Sequence, residues 1–316
     1  MLRQHAVYGG QAVVEGVMFA GKHYHVTAVR RKNNDISFFE SPRTIIPWVE
    51  ALKKIPFVRG IVAIVEAAAK GSQHLQFSFE AYVEDEATPE ERQAMEEKRK
   101  SGKKGWDLTL ILGVAVVGVL SFAFGKLIFN VVPAALESLL FGRRFGIVWH
   151  NLLEGFIKIV FLLTYLWAIS KTPMIKRLFQ YHGAEHKVIS AYEAGAELTV
   201  ENVQKFSRLH YRCGSSFIVF SVIVGVLLYS LPIFEWQSIW ERIWIRILLI
   251  PVVIGVSYEV LRFTNALRDI PVLRWLGYPG LWLQLLTTKE PTDDQVAVSI
   301  ASFNRMRELD RQVNPL

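Results

Sequence analysis

The sequence predicts a mostly α-helical polytopic membrane protein, with about four transmembrane helices, a small N-terminal α+β region and cytoplasmic helical segments. Three observations carry this reading. Of the 316 residues, 51% are hydrophobic and the mean hydropathy is +0.25, too apolar for a disordered chain and more apolar than an ordinary soluble enzyme needs. Four stretches approach the ~20 apolar residues that a bilayer-crossing helix requires: Leu108 to Phe129, Phe145 to Ile169, Ser215 to Phe234 and Ile243 to Leu261. Lysine and arginine gather before the first stretch and between the second and third, as they do in loops that stay cytoplasmic.

Residues 1–83 read as a cytoplasmic or interfacial region. Met1 to Gly16 lacks a cationic start followed by an apolar core, so no cleavable signal peptide is expected. His25 to Arg30 and Ile36 to Glu40 have strand-like content on either side of Asn33, Asn34 and Asp35, residues that tolerate positive φ, and so predict a hairpin. Two helical patterns follow, Trp48 to Ile55 and Phe57 to Lys70, split at Pro56. Trp48, Lys53, Lys54 and Arg59 beside apolar positions suit either a bilayer interface or the surface of a small core.

Residues 84–106 form a charged linker, acidic through Glu97 and then basic. Residues 107–263 hold the four spans, with a cytoplasmic insertion at 171–212. The second and fourth spans carry His150, Glu154, Lys158, Arg246 and Glu259, which must turn towards protein or water. Residues 264–316 contain Gly277 to Leu286, too short to cross a bilayer, and a closing helix from Pro291 to Arg311 that opens on Asp293 and Asp294. Four spans with basic loops inside place both termini in the cytoplasm. The formal net charge of +7 is then explained by inner-face lysines and arginines, and no specific nucleic-acid partner is predicted.

The single cysteine, Cys213, excludes an intramolecular disulfide framework and any site built from several thiolates. The most informative segment is Tyr181-His182-Gly183-Ala184-Glu185-His186-Lys187. On a helix, His182 and His186 share one face, where two imidazoles can bind one divalent metal, zinc being the natural choice. Glu185 flanks them in the order H-x-x-E-H, the inverse of the zinc-protease motif whose glutamate is the general base.

Glu259 is the first remote candidate for a third metal ligand, because a carboxylate near the inner end of the fourth span needs a partner; an ion pair with Arg262 or Arg246 is its other reading. His210 and Cys213 are alternative ligands, with Arg212 favouring a thiolate. Gln11 and Glu15, in the glycine-flanked run Gly9 to Met18, and Arg212 are placed around the metal without touching it. The stripe of His150, Glu154 and Lys158 suits either an ion path or a pair locking two helices.

Gly9 to Met18, Tyr181 to Lys187, Arg212 to Phe217 and Tyr258 to Arg262 together resemble the bacterial YqhQ family of membrane proteins, described as predicted metal-dependent enzymes. The resemblance spans nearly the whole chain, with Y-H-G-A-E-H-K its most specific marker. Phe19-Ala20 departs from the methionine and arginine expected after Met18. The resemblance implies a bacterial inner-membrane protein whose metal rests on the same histidines. The first functional expectation is a zinc-dependent hydrolase acting on a peptide or lipid-linked substrate at the inner face. A non-enzymatic scaffold or membrane-protein biogenesis factor, with the same residues forming a polar network or partner surface, is the second; a transporter is the third.

Overall fold

The computed structural model describes residues 8–93, 146–231 and 239–313, together with 132–133, 135–137, 139–141 and 233. The expected first span, Leu108 to Phe129, and most of the charged linker lie outside the described residues. What is described is mostly helical with one small N-terminal sheet.

That sheet is an antiparallel meander in the order β1 (Gly9–Val13), β2 (Gly16–Ala20), β3 (Tyr24–Arg30) and β4 (Ile36–Pro42). The predicted hairpin is β3 and β4, turning at Asn34 with a φ of 68°. A second hairpin, β1 and β2, forms where the sequence suggested only a glycine turn; Glu15 takes a φ of 53° at its tip. β1 is short and three of its five residues are glycine or glutamine, so strand propensity alone does not reveal it.

Two helices follow, α1 (Pro47–Leu52) and α2 (Val58–Glu86). α2 runs well past the expected end at Lys70 and takes up Glu84 to Glu86 from the linker. Its last turn is anchored by Arg31, which donates two hydrogen bonds of 3.0 Å and one of 2.9 Å to Asp85. One face of the sheet packs on α2 through Val13, Met18, Val29 and Ala81. The other packs on α4 (Pro173–Glu193) and α9 (Asp293–Val313), with Phe19, Tyr181, Val188, Phe303 and Met306 buried together. The C-terminal helix thus closes the N-terminal sheet, and Ser302 donates hydrogen bonds to the Val17 and Val26 carbonyls at 2.9 and 3.0 Å.

A second layer is apolar. It comprises α3 (Ile147–Ile169), α6 (Ser216–Tyr229), α7 (Ile239–Ala266) and the short α8 (Tyr278–Thr287), which follows a 3-10 turn at Leu273–Gly277; α5 (Val200–Gln204) lies in the insertion. Among the described residues, two helices, over Val148–Ile169 and Trp244–Ala266, are long and apolar enough to cross a membrane. α6 has 14 residues, about 21 Å of helix, so the described part of the expected third span falls short of a bilayer.

α6 runs antiparallel to α3: Asn151 donates to the Tyr229 carbonyl at 2.9 Å, while Leu166 packs near Val219. α7 enters beside the same end, its Arg246 gripping Glu154 at 2.7 and 2.8 Å. The last turns of α3 and α7 and the first turn of α6 therefore share the end that faces α4 and the sheet.

Candidate metal centre

At that junction α4 carries His182 and His186 one turn apart, and the turn before α6 carries Cys213. Their ligand atoms all lie within 4.8 Å of one another. The three line a cavity of ≈ 330 Å³ together with Glu185, His210 and the N-terminal stretch Tyr8 to Ala12.

The backbone fixes both imidazoles. His182 Nδ1 is 2.8 Å from the Thr287 carbonyl, and His186 Nδ1 is 2.6 Å from the Arg208 carbonyl. A carbonyl oxygen can only accept, so each Nδ1 carries a proton, and in the neutral tautomer this fixes, the lone pair is on Nε2. His182 Nε2 stands 3.2 Å from Cys213 Sγ, and Cys213 is also a side-chain hydrogen-bond partner of His186. A thiol has one proton and can satisfy one of these two lone pairs. Burial also lowers the His186 pKa, against the opposing effect of Cys213. Two lone pairs and a sulfur gathered at one point could hold a divalent cation.

Other elements hold this arrangement in place. Gln284 of α8 is fully buried; it accepts from the His210 N–H at 2.8 Å and donates to the His210 carbonyl at 2.7 Å and to Ser216 Oγ at 2.9 Å. Arg208 Nη1 reaches Thr288 at both its carbonyl (2.9 Å) and hydroxyl (2.6 Å). Gly183 lets α4 lie against the 287–291 segment: a Cβ there would collide with the Lys289 carbonyl, well inside the 3.0 Å that real Cβ atoms keep. Gly183 weakens the helix by propensity, yet this close approach requires it.

Glu185 is buried beside the three ligands but outside the set. Burial pushes its carboxyl up to about 7, against the opposing pull of His182 and of the Gly10 N–H bonded to it. A Cβ on Gly10 would lie 2.8 Å from Glu185 Cγ, so the glycine makes room for the carboxylate.

The remaining predicted residues are spread around this core. His210 lies next to the set, its ring 5.7 Å from that of His186; its Nδ1 accepts from the Arg212 N–H at 3.3 Å and its Nε2 stands 3.8 Å from Glu193. Arg212 pairs with Glu193. The Gln11 side chain reaches towards Gly71 of α2, and Gln11 is among the residues that line the cavity. Glu15 forms a two-pronged pair with Arg177, one arm at 2.6 Å, and accepts from the Tyr181 hydroxyl at 3.4 Å.

Glu259 is not brought to the histidines. It is held by Arg59, whose Nε is 2.7 Å away, and by the Phe57 N–H at 3.1 Å. The expected ion pair thus exists with a partner from α2, which neither Arg246 nor Arg262 supplies. On the stripe of α3, His150 pairs with Glu137 at 2.5 Å, and Glu154 is shared by Arg246 and Lys158.

Sequence reasoning missed Thr287, Gln284, Gly10 and the Arg208 carbonyl. A signal for two of them existed: Gln284 and Thr287 are polar residues at helical spacing inside an otherwise apolar segment.

The family described as "Protein of unknown function (DUF1385)" matches residues 55–309. The chain belongs to this family. It is 53% identical over 306 residues to the "Uncharacterized protein YqhQ" of Bacillus subtilis (strain 168), an alignment covering 96% of this chain and 93% of that protein. No solved structure matches. The family match takes in both histidines, Glu185 and Cys213, while the YqhQ alignment covers nearly the whole chain.

Proposed function

We propose that the protein is a zinc-dependent hydrolase at the inner face of the bacterial cytoplasmic membrane, with His182, His186 and Cys213 as metal ligands and Glu185 as general base. One observation supports this above the others: both Nδ1 atoms are tied to backbone carbonyls, so both Nε2 lone pairs converge with the only cysteine of the chain. Two imidazoles and a thiolate suit zinc, and three protein ligands leave a position open for water, the arrangement of a catalytic rather than a structural site. Zinc bound there would acidify a water in that position. Glu185, with its carboxyl raised to about 7, can take a proton from water and return it within the neutral pH range.

The membrane placement rests on exposure. Little of α3 and α7 is buried inside the protein, and Trp149, Phe156, Trp167, Trp244, Leu248 and Phe263 stand on their surface. Apolar area of that extent needs a lipid or protein cover. With basic loops inside, the chain crosses the bilayer several times and keeps both termini and the 171–212 segment cytoplasmic, so the centre lies just under the membrane.

The test is hydrolysis in water enriched in oxygen-18, with zinc-loaded protein and mixed peptide and lipid substrates, read by mass spectrometry of the products. The parent should place the label in new carboxyl groups, and Glu185→Gln should keep its zinc and lose the label. Equal labelling by Glu185→Gln, or none by the zinc-loaded parent with any substrate, overturns the proposal.

A further inference from the structure

The strand that lines the cavity, β1, is the open edge of the meander: among the described residues no strand lies beyond it. Its hairpin with β2 closes through the Val13 and Gly16 pair. In an antiparallel ladder alternate residues turn both backbone groups to the partner, so Gly9, Gln11 and Val13 face β2 while Gly10 and Ala12 face outward. The bond from the Gly10 N–H to Glu185 agrees with that phase. The Gly10 carbonyl and both backbone groups of Ala12 come next along this edge, on the strand that forms one wall of the cavity holding the histidines.

Exposed edges are normally blunted by lysine, proline, a bulge or a covering element. Gly9 to Val13 contains no charge and no proline, and two of its five residues have no side chain to hold another backbone away. Leu178, Phe179 and Ile189 line the same cavity as the imidazoles. An uncharged strand edge that lines a cavity together with apolar side chains and the Glu185 carboxylate suits an extended polypeptide recognised by its main chain.

We propose that the cavity takes an extended peptide as a fifth strand on β1, laid along Gly10 to Ala12, with one of its carbonyls brought to His182, His186 and Cys213. This rests on the hydrolase reading and narrows its substrate to polypeptide. In the reaction, water's oxygen bonds to the peptide carbonyl carbon while Glu185 takes a proton from that water. The C–N bond then breaks, its electrons stay on nitrogen, and protons of the same water go to the amine, leaving a carboxylate and an ammonium group.

The experiment uses the full chain in detergent micelles, zinc-loaded and assayed for metal, with fluorescein-labelled capped octapeptides of alanine, valine, leucine and phenylalanine. Binding is followed by anisotropy, with each peptide amide N-methylated in turn. Methylation at every second amide should weaken binding at least 10-fold and at the amides between them less than 2-fold, since only alternate residues face β1. Ala12→Pro, which deletes one outward N–H at an edge position that tolerates proline, should weaken binding similarly. A profile without two-residue periodicity in zinc-loaded protein, or displacement of the peptide by phospholipid, overturns strand addition and leaves the metal centre standing. Periodic binding by a chain that holds no zinc supports strand addition and removes the metal. The N-methyl series needs only the parent protein, so it decides the matter even if Ala12→Pro fails to fold.

Discussion

Replacing Gly183 by alanine sets two effects of opposite sign against each other. Alanine in a helix interior is favoured over glycine by about 1 kcal/mol, so on propensity alone Gly183→Ala should stabilise α4. The added Cβ, however, meets the Lys289 carbonyl far inside the 3.0 Å limit. A carbonyl cannot rotate away as a flexible side chain would, so the 287–291 segment must retreat by up to about 1 Å, and overpacking of this kind costs roughly 1–3 kcal/mol. The net expectation is a loss of about 0–2 kcal/mol.

The same retreat carries the Thr287 carbonyl off His182 Nδ1, a bond of 2.8 Å, and loss of such an orienting partner typically weakens metal binding about 10- to 100-fold. Urea unfolding in micelles measures the first quantity, and competition with a calibrated chelator the second. A Gly183→Ala protein that is more stable than its parent and binds zinc equally well would refute the packing argument.

Three further outcomes follow from the geometry. Glu259→Gln should lower the thermal midpoint, because it weakens the pair with Arg59 and the Phe57 cap, and should leave zinc stoichiometry unchanged; parallel loss of zinc in a folded protein would return Glu259 to the site. Gln284→Leu keeps the approximate volume but strands the His210 backbone groups and Ser216, so it should cost about 2–3 kcal/mol and weaken zinc binding; unchanged unfolding would show that the clamp is dispensable. Burial lowers the His74 imidazole to about 4, with His25 adding to the effect. The folded state therefore binds fewer protons than the unfolded one between pH 6.5 and about 4, so stability is full above 6.5 and falls through that window by up to about 3 kcal/mol. His74→Gln should flatten the unfolding profile there, and an unaltered slope would mean that another group titrates.

The sequence made the histidine pair, the flanking glutamate and the bundle's apolar helices legible because each depends on local spacing. Helical periodicity puts His182 and His186 on one face whatever lies around them. Which of Glu259, His210 and Cys213 lies beside the histidines depended on which chain ends meet, a matter of long-range packing: α8 clamps the His210 turn through Gln284, and Cys213 groups with His182 and His186. Glu259 did need a partner, but that partner came from α2, which passes beside α7 with Gly60 against Tyr258.

The β1 strand was illegible for a related reason. Gly9-Gly10-Gln11 has little strand preference, and it becomes a strand because β2 pairs with it and α2 and α4 cover its two faces. Gly183 read as a helix weakness, since nothing local reveals the Lys289 carbonyl beside it.

The central claim is a metal held by two imidazoles and one thiolate. X-ray absorption at the zinc edge, on protein purified without chelators, tests it most directly. One zinc per chain is expected, with nitrogen scatterers at about 2.0–2.1 Å and a single sulfur at about 2.3 Å, and the sulfur should disappear in Cys213→Ser. Protein that binds no zinc after reconstitution, or zinc whose shell contains no sulfur, would contradict it.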